Sequence, residues 1–211
     1  TFIMLATYVL FYLMTSFTLS YGIKPTLEGA QAAAEKAGTA FNAAEFVPGL
    51  GYGYTDFVIM QIIGVVFFGI FTMLSGPIAD RIGRKRLLIG VTAAIIVFGL
   101  TFSFFLVPHA DPGFTRVLVQ AFLIIGFLLM GSTFGPMGAV LPELFPTNVR
   151  YTGSAISYNV SSILGAALAP IVAVALWAAG DGNPWLVGVY LSAMGVLTLI
   201  ALVLSPETKN V

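Results

Sequence analysis

The sequence has no cysteine and one histidine, and only 9% of its 211 residues carry a formal charge. Without cysteine there is no disulfide framework from which to read a redox compartment. Nine basic residues balance nine acidic ones, and a net charge of zero argues against a nucleic-acid partner. Soluble domains carry about 25% charged residues, and a fold of this size could not cover its surface with so few. Hydrophobic residues make up 58% of the chain, which points to the bilayer as its solvent. A secretory leader is missing as well: the first apolar stretch is too long and has no basic run ahead of it. Thr1 stands where an initiator methionine would, and the apolar run that follows at once predicts a piece of a longer protein.

Six stretches carry no formal charge: 1–23, 57–79, 87–110, 117–142, 151–180 and 182–206. Each is long enough to cross about 30 Å of hydrocarbon as a helix of about 20 residues. None alternates polar with apolar as a barrel strand of about 9–11 residues would. The pattern predicts an all-α membrane protein with transmembrane helices at about 2–21, 56–79, 87–107, 115–140, 151–178 and 185–204. Pro170 predicts a kink in the fifth of them. Residues 23–53 form an extracytoplasmic insertion whose alanine-rich middle favours a surface helix. Arg81, Arg84, Lys85, Arg86, Arg150 and Lys209 fall on one side, and Lys24, Lys36 and Arg116 on the other. The excess of basic residues in short loops puts both ends of this chain in the cytoplasm of a plasma (bacterial inner) membrane, as a multi-pass protein. Helices one to three and four to six enter from opposite sides, the arrangement of two inverted repeats seen in transporters.

Five of the eighteen charges fall between positions 80 and 86, in Gly76-Pro-Ile-Ala-Asp80-Arg81-Ile-Gly83-Arg84-Lys85-Arg86. This run resembles the signature loop of the major facilitator superfamily, found between the second and third helices of each six-helix half. Glu143 and Arg150, in PELFPTNVR, resemble a second motif that follows the tenth helix of that superfamily. Pro206-Glu207-Thr208-Lys209 resembles a third, after the twelfth. The resemblance implies the C-terminal half of a twelve-helix transporter. The stretch GPMGAVLPELFPTNVRYTGSAISYN is similar to the metabolite:proton symporters. Sugar porters usually carry a paired glutamine in the seventh helix and a tryptophan after the Gly-Pro of the tenth. Here the first helix has no Gln, and Gly135-Pro136 leads into Met137-Gly138-Ala139.

A carboxylate at the end of its own helix is badly placed against the negative pole of that helix. Asp80 gains if Arg84 or the N-terminus of another helix approaches. We expect a cytoplasmic gate of Gly76, Asp80, Arg81, Gly83, Arg84, Lys85, Glu143, Arg150 and Glu207. In it Asp80 docks at the start of helix five, beside Arg150, and the basic residues pair with Glu143 and Glu207. Each exposed pair is worth about 0.3–1 kcal/mol, so a network biases a two-state equilibrium by a few.

No Asp, Glu, Lys, Arg or His lies in the middle of any predicted helix. Membrane-embedded ionisable groups mark proton relays, so a coupling carboxylate is expected in the N-terminal half. The pocket candidates are uncharged: Tyr8 and Tyr12 on one face of helix one, Gln61 in helix two, and Tyr158 and Asn159 in helix five. Hydrogen bonding between helices is the competing role for such groups. A stripe of Gly153, Ser157, Ser161, Gly165 and Ala169, with Gly131 and Gly135 in helix four, predicts close helix packing. No metal-ligand cluster or catalytic dyad is present, so the chain is not read as an enzyme, and neither cofactor nor metal is expected. The expected function is proton-coupled symport of a small organic acid or zwitterionic osmolyte by alternating access. Its partners are the lipid bilayer, the N-terminal six-helix half, the substrate and a proton. A sugar or polyol porter and a non-transporting membrane sensor are the alternatives.

Overall fold

The computed structural model describes residues 2–43 and 45–205, and among these every regular element is a helix. Four helices are long and apolar enough to cross a membrane: Phe2–Ile23, Tyr54–Ile82, Pro112–Glu143 and Trp185–Leu204. The two remaining spans are segmented. The third comprises Arg84–Leu100 and Phe102–Leu106, broken at Thr101. The fifth comprises Arg150–Ile163, a π-helical turn Leu164–Leu168, and Ala169–Ala179. The kink expected at Pro170 takes the form of that π-helical turn. Proline has no N–H to give and its ring crowds the carbonyl four residues back; widening the preceding turn relieves both. A second π-helical turn, Leu13–Phe17, interrupts the first span.

The second span runs on through Asp80 and Arg81 to Ile82, beyond the expected end at 79. What reads as a charged loop is therefore two helix ends joined at Gly83, whose φ of 103° suits glycine. The fourth span begins at Pro112, with the Asp111 carboxylate accepting from the Gly113 amide. Its far end takes in Pro142 and Glu143, so the connector to the fifth span is shorter than the sequence suggests. The insertion carries the helix Leu27–Ala37, capped by Thr26 and by Gly38 at φ 64°, with no buried residue. The rest of the insertion is tied down by backbone hydrogen bonds: Leu50 to Tyr21, Gly51 to Lys24 and Tyr52 to Gly22, at 2.8–3.0 Å.

The first span is central, with 67% of its apolar stretch buried against 17% for the second. The second packs along the fourth, the third along the sixth, and the first against the fourth, fifth and sixth. Exchanging spans one, two and three with four, five and six leaves this neighbour scheme unchanged. First-to-sixth becomes fourth-to-third, and second-to-fourth becomes fifth-to-first, and each of these pairs is in contact. The two three-helix repeats are thus legible in the packing, where no residue-level likeness reveals them.

Helices in lipid gain nothing from burying apolar surface against one another, so close approach of backbones carries the association. At the second-to-fourth contact, a Cβ on Gly135 would lie 2.5 Å from the Thr72 carbonyl oxygen. At the third-to-sixth contact, a Cβ on Gly99 would lie 2.6 Å from the Gly188 carbonyl oxygen. Hydroxyls stitch the spans together. Thr7 donates to Thr133 at 3.0 Å, both buried. The Thr198 hydroxyl accepts from the Ala6 amide and donates to the Phe2 carbonyl, inserting the sixth span into the first turn of the first.

Candidate functional site

At the end that carries residues 80–86, Arg84 is the hub. Its guanidinium donates to a carboxylate oxygen of Asp80 through Nε and Nη2, both at 3.3 Å. Nη1 donates to Glu143 Oε1 at the end of the fourth span. A planar fork can serve two carboxylates at once in a way that an ammonium cannot. The Glu143 contact holds the Arg84 guanidinium above its ordinary pKa, partial burial opposes it, and Asp80 adds a smaller lift. Glu143 Oε2 is buried without a hydrogen-bond partner among the described residues.

The geometry differs from the expected gate in several respects. Asp80 stays exposed and turns to Arg84, across the Gly83 junction, and not to the start of the fifth span. Lys85 points about 100° further round its helix. It meets no carboxylate among the described residues; its ammonium donates to the carbonyls of Val203 and Ser205 at 2.9 and 2.5 Å, where the sixth span ends. That is the favourable end of a helix for a cation. Arg150 donates to the Phe145 carbonyl at 3.3 Å, within its own connector. Gly83 joins the two helices, and Gly76 faces open space. Arg81 has an interaction of its own. Glu207 lies outside the described residues.

A hollow of about 230 Å³ opens between the first, fourth and fifth spans, lined by Thr7, Tyr8, Phe11, Tyr12, Met130, Phe134, Tyr158 and Ser162. Three sequence candidates, Tyr8, Tyr12 and Tyr158, meet here. Tyr8 and Tyr158 sit edge to face at 5.5 Å, and Phe11 and Tyr12 at 5.0 Å. The Tyr8 side chain is buried and its hydroxyl has no partner among the described residues. Gly165, in the π-helical turn of the fifth span, lets that span approach: a Cβ there would lie 2.5 Å from Tyr8 Cβ. Phe134 and Tyr158 also line a second hollow of about 330 Å³, which continues past Met137 and Leu141 toward Tyr151. Arg116 lines a separate groove of about 450 Å³ between the second and fourth spans, with Gln120, and is not part of the tyrosine hollow.

Gln61 and Asn159 lie off the hollow. The Asn159 amide donates to the Ala155 carbonyl of its own helix at 2.8 Å. Gln61 Nε2 reaches the carbonyls of Met14 and Thr15, each at 3.0 Å, and the Thr18 hydroxyl at 3.1 Å. A π-helical turn shifts the backbone pairing and frees a carbonyl, and Gln61 answers the ones freed at Leu13–Phe17. Gln61→Leu should therefore lower stability by about 1–2 kcal/mol by removing the side-chain donor to the Thr15 carbonyl, while the Thr18 hydroxyl still serves Met14, read as a lower thermal midpoint in detergent. An unchanged midpoint would remove Gln61 as the support of that turn. The sequence gives no sign of Phe11, Phe134 or Ser162 as lining residues, because apolar and small side chains are everywhere in these helices. Thr15 and Thr18, whose hydroxyls donate back to Phe11 and Met14, are a faint mark of the wide turn.

The family described as sugar (and other) transporter matches residues 41–211. The inner membrane metabolite transport protein YhjE of Escherichia coli K12 is 43% identical over 210 residues, 100% of this chain and 42% of the relative. A putative metabolite transport protein of Haemophilus influenzae is 43% identical over 211 residues, 100% of this chain and 44% of its own. The glycine betaine/proline/ectoine/pipecolic acid transporter OusA of Dickeya dadantii is 30% identical over 153 residues, 72% of this chain and 28% of its own. The chain spans less than half the length of the curated relatives it matches. No solved structure matches it.

Proposed function

This chain belongs to the sugar (and other) transporter family of the major facilitator superfamily, and on that basis we propose that it forms one half of a proton-coupled symporter for a small organic acid or zwitterionic osmolyte. It is a membrane protein of a transporter family and not an enzyme. The observation that carries the reading is the uncharged hollow of tyrosines and hydroxyls between the first, fourth and fifth spans. It is small, polar at a few points, and open on one side, where a second half completes it. The naming of OusA as a betaine and proline transporter supports the osmolyte side of the proposal.

In this reading the two halves rock about the hollow. The end bearing Arg84 faces the cytoplasm together with both ends of the chain. Arg84, with Asp80 and Glu143, keeps that end of the half in one piece while the cytoplasmic side is shut; Gly76, Arg81, Gly83, Lys85, Arg150 and Glu207 belong to the same gate. Among the described residues no Asp, Glu, Lys, Arg or His sits at mid-span, so the proton is carried by the other half.

The test is uptake by the full-length protein in proteoliposomes, with labelled carboxylates, betaines and sugars, with and without an inward proton gradient. Gradient-driven accumulation of an acid or osmolyte is the expected result. Sugar uptake indifferent to pH would put the porter reading in its place, and no uptake of anything would favour a sensor.

A further inference from the structure

The tyrosine hollow has an unusual chemistry for a site that holds a small polar solute. Five of its lining residues, Tyr8, Phe11, Tyr12, Phe134 and Tyr158, are aromatic, and none of its lining residues carries a charge. The Tyr8–Tyr158 pair is nearly perpendicular at 88°, and the Phe11–Tyr12 pair at 82°. Rings set at right angles offer their negative faces from more than one direction. Phe11, Phe134 and Tyr158 each keep more than a third of their surface exposed, so their rings are available to an occupant.

We propose that this hollow takes the cationic end of a small zwitterion, and that the cation is a methylated, quaternary ammonium. This deepens the transporter reading and rests on it. Quaternary ammonium groups are held by the faces of aromatic rings within about 6 Å, with no anion required. An ammonium that keeps its three N–H donors needs an acceptor for each, and this lining offers only neutral hydroxyls and no carboxylate. A quaternary group has no donors to satisfy and loses nothing here. The volume agrees: about 230 Å³ holds about eight water-sized groups at ~30 Å³ each. The buried Tyr8 hydroxyl, without a partner among the described residues, donates to the carboxylate of the same zwitterion.

The experiment uses the full-length protein in proteoliposomes. Binding of labelled glycine betaine is competed by glycine, choline and tert-butylacetate, the last being the uncharged carbon isostere of the trimethylammonium end. The expected order puts tert-butylacetate and glycine at least about tenfold weaker than betaine. Tyr12→Leu and Tyr158→Leu weaken betaine at least about threefold more than Tyr12→Phe and Tyr158→Phe, which keep the ring. Tyr8→Phe weakens betaine more than choline, which has no carboxylate. Equal competition by tert-butylacetate, or equal losses in the Leu and Phe variants, would overturn the proposal even if every variant inserts normally. Uptake of a carboxylate or sugar with no binding of betaine sinks this inference and spares the transporter; no uptake or binding of any solute sinks both.

Discussion

Gly188→Ala is expected to cost about 3 kcal/mol or more and to leave little folded protein in the membrane. Where the third and sixth spans cross, a Cβ on Gly188 would overlap the Gly99 carbonyl oxygen and lie 2.9 Å from Phe102 Cβ. Overpacking costs about 1–3 kcal/mol when side chains can turn aside. Here the obstacle is backbone, which cannot, so the two helices must part. Parting them also strains the bond from the Ser192 hydroxyl to the Ile96 carbonyl, 2.8 Å at this crossing. The control lies on the same third span. Gly90 has open space where its Cβ would go, so Gly90→Ala should be neutral or gain up to about 1 kcal/mol of helix propensity. Size-exclusion profile and thermal midpoint in detergent report both variants. A Gly188→Ala protein that melts with the parent would mean that the helices do not cross this closely.

Arg84→Ala should be the most damaging change at the basic end. Arg84 and Glu143 each keep about a fifth of their side-chain surface, 22% and 19%, whereas Asp80 keeps 65%. Losing the cation strands the Glu143 carboxylate in a place where its other oxygen already has no partner among the described residues. Breaking a fully buried pair costs about 3–5 kcal/mol; with this exposure about 2 kcal/mol is expected. Asp80→Asn should cost under about 1 kcal/mol, since exposed pairs contribute little. Arg84→Lys should recover only part of the loss, because a lysine serves one carboxylate at a time. Glu143→Gln in the Arg84→Ala background should restore stability, since a neutral amide tolerates burial without a cation.

The functional arm follows from the proposed gate: Arg84→Ala biases the transporter toward its inward-open form and lowers net uptake about tenfold, on the scale of the ~1.4 kcal/mol per decade. This chain contributes no cysteine, so a single one introduced at the far end reports accessibility without background from this half. Reduced labelling there is the expected result. Unchanged labelling and uptake would leave Arg84 as a structural strut.

The last span was legible in outline, since the helix Trp185–Leu204 lies inside the charge-free stretch 182–206. The second was not, because the run of charge from Asp80 suggested a loop where the helix continues to Ile82. Charge density says where a helix leaves the bilayer and not where it ends. Among four clustered cations, sequence alone could not choose the partner of Glu143. The fold does: across the Gly83 junction Arg84 is brought to both Asp80 and Glu143, and Lys85, next on the new helix, is carried round toward the sixth span. Tyr8 and Tyr12 share a face by spacing, but only the fold brings Tyr158 to them. Neither wide turn is visible in composition, although Pro170 marks the position of one.

The interleaved packing has a consequence for synthesis. The second span has its main neighbour in the fourth, the third in the sixth, and the first in the fifth and sixth. Each therefore leaves the ribosome ahead of the surface it will rest on. The early helices can wait as separate rods, since a helix satisfies its own backbone in lipid. They cannot assemble. The Thr198 hydroxyl that enters the first turn, between Phe2 and Ala6, comes from the sixth span, which is inserted after the other five. Biogenesis of this bundle is thus gated by its sixth helix: a nascent chain arrested before it is a set of inserted but undocked segments, exposed to membrane quality control until that helix is made.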